Sequence, residues 1–204
     1  VTLDINGGSS AKEIAASITS RVSETGVSAS AQTRLNVSFE EEPNGTQRTD
    51  TVSFNVYGMN SSPVLISANV DFGETNGRGA NLTDLAAAIN GTTGKTGIAA
   101  NLSVDKATMT MISNDGFDII VEDYRLVGVT GPAMKVAGAD EDNVALTGTN
   151  TANVIFDALT LEPGTDTSTH PNSAQVSGQV TFRSPFIFSV KSDNTGTSSA
   201  PDLM

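Results

Sequence analysis

The sequence predicts an α+β fold, predominantly antiparallel β with two short amphipathic helices, divided into two subdomains. Three observations predict it. Glycine is frequent (19 residues) and Ser, Thr and Asn are abundant, which is typical of chains with many turns. Hydrophobic residues make up 37% of the chain and aromatic residues 5%, so the core must consist mainly of aliphatic side chains. The third observation is an internal repeat, in which each copy changes from helical to alternating periodicity.

The repeat relates two stretches of the chain that are 71 residues apart. Ser10–Ile18 aligns with Asn81–Ile89, and Thr25–Ala29 aligns with Thr96–Ala100, with the same offset throughout and without a gap. Six of the twenty aligned pairs between Ser10 and Ala29 and their counterparts are identical. We therefore expect two structurally equivalent units, in which Ile14 and its counterpart Leu85 occupy matching buried positions.

Each copy begins with a short amphipathic helix. The apolar side chains recur at the spacing of one helical face: Ala11, Ile14, Ala15, Ile18 and Val22 in the first copy, and Leu82, Leu85, Ala86 and Ile89 in the second. Ser10 and Glu13 form a predicted capping box, and Asn81 and Asp84 are expected to cap the second helix in a similar way. Asn90-Gly91 is a natural end for that helix.

After each helix the apolar residues alternate, which predicts strands. In the first copy we expect the strand ending at Phe39 to form a hairpin with Val52–Tyr57 through the turn Pro43-Asn44-Gly45. In the second copy we expect Thr108–Ile112 to form a hairpin with Phe117–Val121 through Asn114-Asp115-Gly116. The predicted leading strands of the two units are Val1–Ile5 and Val64–Val70.

The C-terminal third is less regular. Val129–Thr169 is interrupted by Gly and Pro, with short strands expected at Val154–Phe156 and Leu159–Leu161. A last hairpin is predicted from Val176 to Val190, turning at Arg183-Ser184-Pro185. Residues 192–204 are rich in Ser, Thr, Asn, Asp and Gly, and we expect a flexible tail there.

Composition and charge exclude several classes of function. The formal net charge is −12, from 11 basic and 23 acidic residues, which argues against nucleic acid and against an anionic membrane surface as partners. The chain has no Cys, so thiolate zinc sites, disulfides and cysteine nucleophiles are excluded. No apolar run reaches the roughly 18 residues of a membrane-spanning helix. Because the chain starts at Val1 without an initiator Met, we expect it to be a fragment of a longer polypeptide.

The sequence contains no residues that we assign to catalysis, to a cofactor or to a metal. We expect no enzyme activity and no cofactor. His170 is the only histidine and is interpreted as a solvated loop residue, so we expect neither a catalytic triad nor a two-His metal site. Asn114–Asp118 lacks the ligand spacing of a calcium loop and is interpreted as a turn. The acidic runs Glu40–Glu42 and Asp140–Asp142 are interpreted as solvated, with a weak cation site or a glycosidase pair as the alternative. Gly77-Arg78-Gly79 precedes a helix without the lysine of a phosphate-binding loop.

The paired block resembles the short repeat in the variable outer region of bacterial flagellins. The matching pieces are the capped Ala-rich helices, Ala11–Ile18 and Leu82–Asn90, and the Thr-Gly segments that follow them, Thr25–Ala29 and Thr96–Ala100. Ile112–Val121 resembles the hairpin that follows this repeat, and the closing Val176–Val190 segment is similar. The long terminal helices that mark flagellins, rich in Gln, Asn, Ala and Leu, have no counterpart here.

The resemblance implies a structural role as the surface-exposed middle of a flagellin, with an extracellular location on the flagellar filament. It implies other flagellin subunits as partners, mainly through helical termini that this chain lacks, and a monomeric isolated fragment. On this view residues 1–62, the first repeat unit, pack with the C-terminal β segment 131–204, and residues 63–130 form a distal lobe. The alternatives are a carbohydrate-binding or adhesive surface module of a phage fibre or adhesin, and the related filament-cap protein.

Overall fold

A computed structural model describes residues 3–40, 48–73, 79–126, 132–139, 159–161 and 172–190. These residues form ten strands and four helices, two of them single turns, which confirms the predicted α+β class with mainly antiparallel β structure. The helices are α1 (Ala11–Thr19), α2 (Val22–Thr25), α3 (Thr83–Asn90) and α4 (Thr93–Thr96). The strands are β1 (Ser28–Phe39), β2 (Arg48–Tyr57), β3 (Val64–Phe72), β4 (Ile98–Leu102), β5 (Met109–Ser113), β6 (Ile119–Leu126), β7 (Met134–Gly138), β8 (Leu159–Leu161), β9 (Ala174–Val176) and β10 (Gln179–Arg183).

The strands form two antiparallel sheets around one hydrophobic core. The first sheet has the order β4-β5-β1-β7-β8, with β10 pairing the N-terminal part of β1, and the second has the order β3-β2-β6-β9. Phe39 of β1 contacts Phe72 of β3 edge to face, with ring centroids 5.2 Å apart, and its ring centroid lies 6.1 Å from that of Tyr124 in β6. Aromatic contacts between strands of different sheets show that the sheets pack against each other.

The internal repeat is also a repeat of backbone hydrogen bonds. Each long helix is followed by a single helical turn that ends at a left-handed glycine, Gly26 (φ 68°) in the first copy and Gly97 (φ 70°) in the second. The hydroxyl of the preceding threonine accepts a bond from the residue after that glycine, at 3.1 Å for Thr25 and Val27 and 3.2 Å for Thr96 and Ile98. A residue with a Cβ is disfavoured at that conformation, so the Thr-Gly pair fixes the turn from helix to strand.

A second set of hydrogen bonds, present in both copies, connects the end of each long helix to the following strand. In the second copy, Asn90 accepts a hydrogen bond from Ala100 N (2.8 Å) and donates one to Ala100 O (2.9 Å). In the first copy, the Thr19 hydroxyl makes the same two bonds with Ala29, at 3.0 and 2.9 Å. Both pairs are related by the offset of 71, so the two side chains perform one structural task with different chemistry.

The caps of the two helices differ. Ser10 and Glu13 form the predicted capping box, in which the Ser10 hydroxyl accepts from Glu13 N and the Glu13 carboxylate accepts from Ser10 N (2.9 Å). Of the similar cap predicted for Asn81 and Asp84, the part of Asn81 is confirmed, since its side-chain oxygen accepts from the backbone and hydroxyl of Thr83 at the start of α3. The reciprocal bond predicted for Asp84 is wrong, since the Asn81 N–H donates to Asp71 O in β3. The reason is that the backbone of Asn81 forms an antiparallel bridge with Asp71, near the end of β3.

Two predicted hairpins are wrong. β1 pairs with β5, β7 and β10, whereas β2 pairs with β3 and β6, so the two strands expected to form the first hairpin lie in different sheets. β5 and β6, expected to form the second, are likewise in different sheets. Alternation of apolar residues identifies the buried face of a strand but not the neighbour to which its backbone bonds. Each connection therefore crosses between the sheets instead of turning back within one.

The C-terminal prediction is also wrong in its pairing. β9 bonds to β6 in the second sheet and β10 bonds to β1 in the first, and residues 186–190 form no strand. Residues 3–5 of the predicted leading strand Val1–Ile5 are not a strand, whereas Val64–Val70 lies within β3 as predicted. β8 occupies the predicted Leu159–Leu161, and β7 is a strand in a stretch that we expected to be irregular. Val154–Phe156 and the predicted tail lie outside the described residues.

The predicted lobes do not correspond to separate sheets. Both sheets contain strands from residues 1–62 and from residues 63–130, because β1 pairs with β5 and β2 pairs with β3 and β6. The first unit also pairs with the C-terminal segment through β1 and β10. Burial of the two repeat helices is unequal: Leu85 is fully buried in the core, whereas Ile14 is only partly buried. The expected match of these two positions in burial is therefore wrong.

Candidate functional surface

The loop between β5 and β6 contains the strongest polar candidate, Asn114–Asp118. Asn114 accepts a hydrogen bond from Gln32 (2.7 Å), and Asp115 forms an ion pair with Lys12 (3.4 Å). Asp118 accepts from Gln175 (2.8 Å). The backbone O of Gly116 accepts from Lys12 N at the first turn of α1 (3.1 Å). These groups bond to different residues of the same chain and do not converge on one point. The loop therefore holds α1 against the sheets and is not arranged as a cation-binding loop.

The remaining sequence candidates give no converging site. Glu40 forms an ion pair with Lys135 (3.5 Å) at the surface. Glu41, Glu42, Asp140–Asp142, His170 and Gly77-Arg78 lie outside the described residues. Across the described parts of the chain, no three His, Cys, Asp or Glu side chains are grouped as metal ligands would be.

An exposed apolar feature lies beside the first repeat unit. The ring of Phe186 covers the left-handed Gly26, where a Cβ would lie 3.3 Å from its Cδ2 atom. Phe188 contacts Phe182 of β10, with ring centroids 6.2 Å apart. Phe186 is 72% exposed and Ile187 is fully exposed, and Val190 and Val22 are also exposed. We call Val22, Phe186, Ile187, Phe188 and Val190 the apolar surface. The sequence prediction missed it because alternating residues in a hairpin would have buried these side chains.

The corresponding place in the second unit is covered by the chain itself. Met59 lies over Gly97, and its backbone N–H donates to Thr96 O (2.9 Å). Gly58 lies against Thr96 and Ile98, where no side chain fits. The helix face of the second unit is closed by β3 and β4, and Leu85 and Ile89 are fully buried there. The apolar surface is therefore a consequence of how differently the two units are packed.

A second polar feature lies where β2 and β6 pair. The pairing shifts between Ser53 and Asn55, and Asp123 adopts φ 56° there. This bulge points Tyr124 into the core, where its hydroxyl donates to Pro132 O (2.8 Å), and leaves Asp123 at the surface near Asn55 (3.2 Å). No sequence pattern indicated it, since the residues are 68 positions apart.

Tyr57 lies at the same pairing. Desolvation, the charge of Glu122, its hydrogen bond with that carboxylate and the charge of Asp123 together raise the pKa of the Tyr57 phenol above 10.0. A raised folded-state pKa contributes stability that is complete below the ordinary phenol pKa and is lost as the pH rises through the folded value. The pairing is thus expected to make the fold sensitive to alkaline pH.

We predict that Glu122→Gln lowers the pKa of Tyr57, because it removes the carboxylate that opposes the phenolate. The measurement is phenolate absorbance against pH, with Tyr57→Phe to identify the step that belongs to Tyr57. Glu24→Gln, the same change at an exposed carboxylate of α2, is the control for a general change of surface charge. An unchanged Tyr57 midpoint in Glu122→Gln would show that the Glu122 carboxylate does not contribute to the shift.

Among the described residues, the polar side chains named above bond within turns, caps and strand pairs and do not converge on one site. No helix among them has the length and apolar character needed to cross a bilayer. What the arrangement offers is a β-rich body with an acidic composition, one apolar surface and a duplicated helix–turn–strand unit. No family model matches the chain, and no curated protein matches it with significant similarity.

Proposed function

We propose that this chain is the structural, surface-exposed outer region of a bacterial flagellin. The observation that carries the proposal is the duplicated unit, in which an Ala-rich helix, a single turn, a left-handed glycine and a strand recur at an offset of 71 residues. This order of elements resembles the repeat of flagellin outer regions, and it recurs here in sequence and in side-chain hydrogen bonds alike.

The first repeat unit contains both described ends of the chain. Residues 3–10 lead into α1, β10 pairs with the N-terminal part of β1, and Phe186 contacts Gly26 at the turn before that strand. The net charge of −12 supports a role at a solvent-exposed surface, since it favours solubility and opposes self-association.

Immunogold electron microscopy tests the proposal. Antibodies raised against the purified chain are applied to cells that produce it, with a deletion strain as the control for specificity. We expect labelling along the whole length of the flagellar filament. Labelling confined to the filament tip would favour the cap protein instead, and labelling of the cell surface without filaments would favour an adhesin.

An adhesive module is the second candidate, favoured by the exposed rings of Phe186 and Phe188. Aromatic rings at a surface are the groups on which sugars stack. A glycan array with the purified chain tests it, with Phe186→Ser as the matched variant. Binding that the variant loses would support adhesion, and an array without binding would leave the structural role as the better account.

A further inference from the structure

The sequence contains four Asn-Gly pairs, and the structure places two of them in opposite environments. Asn6-Gly7 and Asn90-Gly91 are described, whereas Asn44-Gly45 and Asn76-Gly77 lie outside the described residues. Asn-Gly is the dipeptide most prone to deamidation, because glycine offers no side chain to hinder attack by its own nitrogen on the asparagine amide. The local structure then decides whether the attack geometry is reachable.

At Asn6 nothing opposes that geometry. Asn6, Gly7 and Gly8 are exposed in a turn closed by a hydrogen bond from Ser9 N to Asn6 O (3.2 Å). A Cβ placed on Gly7 or Gly8 meets no atom within 4 Å, so the turn has free space around it. Among the described residues, neither the Asn6 side chain nor Gly7 N has a hydrogen-bond partner.

At Asn90 three hydrogen bonds oppose it. The Asn90 side chain is held by Ala100 N (2.8 Å) and Ala100 O (2.9 Å), and Gly91 N donates to Ala87 O (2.9 Å) at the end of α3. The nitrogen that would attack is engaged in the helix, and the amide that would be attacked is tied to β4. Reaction there requires local opening of the helix end.

We propose that Asn6 is a site of spontaneous modification, at which the asparagine converts to aspartate and isoaspartate in the folded protein. Gly7 N attacks Asn6 Cγ, the new C–N bond closes a succinimide ring, and the proton lost from Gly7 N is transferred through solvent to Nδ2, so that the Cγ–Nδ2 bond breaks and ammonia leaves. Water then opens the ring at either carbonyl. The net change is one amide and one water converted to one carboxylic acid and one ammonia, without any oxidant or reductant.

The product alters the start of the first repeat unit. Aspartate adds a negative charge four residues before the N-cap Ser10, near the positive end of α1. Isoaspartate lengthens the backbone by one carbon within the turn that positions Ser9. The modification therefore produces two forms of this exposed turn, one with aspartate and one with isoaspartate at position 6. Both carry an added negative charge, and only the second has an altered backbone.

The test is peptide mapping by mass spectrometry after incubation of the full chain at mildly alkaline pH, with enzymatic methylation to detect isoaspartate. In the folded protein we expect Asn90 to react at least about tenfold more slowly than Asn6, since its hydrogen bonds must open first. In denaturant the two rates should become similar, because both sites are then unstructured Asn-Gly pairs. Gly7→Ala, which has room for its Cβ, should slow the reaction at Asn6 only.

Equal rates at Asn6 and Asn90 in the folded protein would overturn the proposal, since sequence alone would then set the reactivity. An Asn6 that reacts in denaturant but not in the folded chain would overturn it as well. Asn6→Gln is the control that removes the signal at this position. These outcomes do not depend on the flagellin proposal.

Discussion

Leu85→Ala is expected to lower the free energy of unfolding by about 2–5 kcal/mol, whereas Ile14→Ala, at the equivalent position of the repeat, is expected to cost much less. Leu85 is fully buried among core residues between α3 and the sheets, so truncation leaves a cavity as well as removing apolar contacts. Ile14 is partly exposed, and water replaces part of what the shorter side chain leaves. Urea denaturation of both variants measures the difference.

The repeat provides the control for this comparison. Ala16 and Ala87 are equivalent, exposed positions on the two helices, and Ala→Ser at each should change stability by only a few tenths of a kcal/mol. If Ile14→Ala proved as costly as Leu85→Ala, the first unit would be as tightly packed as the second.

Gly58→Ala is expected to destabilise the chain by about 2–4 kcal/mol, from overpacking and from a weakened hydrogen bond. A Cβ there would overlap the carbonyl oxygen of Thr96 and lie 2.9 Å from Ile98 Cδ1. The carbonyl is backbone and accepts from Met59 N, so it cannot move aside without loss of that bond. Thermal and urea unfolding measure the effect.

Gly94→Ala is the matched control for the same chemical change. Gly94 lies within α4, and a Cβ there meets no atom within 4 Å. Because alanine is a better helix former than glycine, this variant should be neutral or more stable by up to about 1 kcal/mol. A Gly58→Ala chain as stable as the Gly94→Ala chain would contradict the close approach of the β2 end to α4.

The second repeat unit is more tightly packed than the first because the chain closes over it. Both units keep the same local plan, including the paired threonines and left-handed glycines. Each long helix packs against two strands, α3 against β3 and β4 and α1 against β1 and β10. The turns that follow differ, because Gly58 and Met59 lie against Thr96 and Gly97 in the second unit, whereas the exposed Phe186 lies over Gly26 in the first. Local sequence therefore specifies the unit, and its neighbours decide how much stability it contributes.

The candidate sites show the same division between local and long-range information. The absence of Cys and the single His excluded whole classes of chemistry from the sequence alone. The role of Asn114–Asp118 as an anchor for α1 required the structure, since Lys12 and Asp115 are 103 positions apart. The Tyr57–Glu122 pairing had no sequence signal, because register between β2 and β6 depends on a bulge.

The sequence by itself determined the two copies of the repeat, the capping box at Ser10 and the alternating strands, because each of these features is visible in the local order of residues. Only the tertiary structure decided which strands pair, why β1 and β2 separate into two sheets, and why Leu85 is buried while Ile14 is not. Those outcomes depend on competition among many apolar faces of similar character for one core. That competition is settled by the free energy of the whole packed molecule and not by any local pattern.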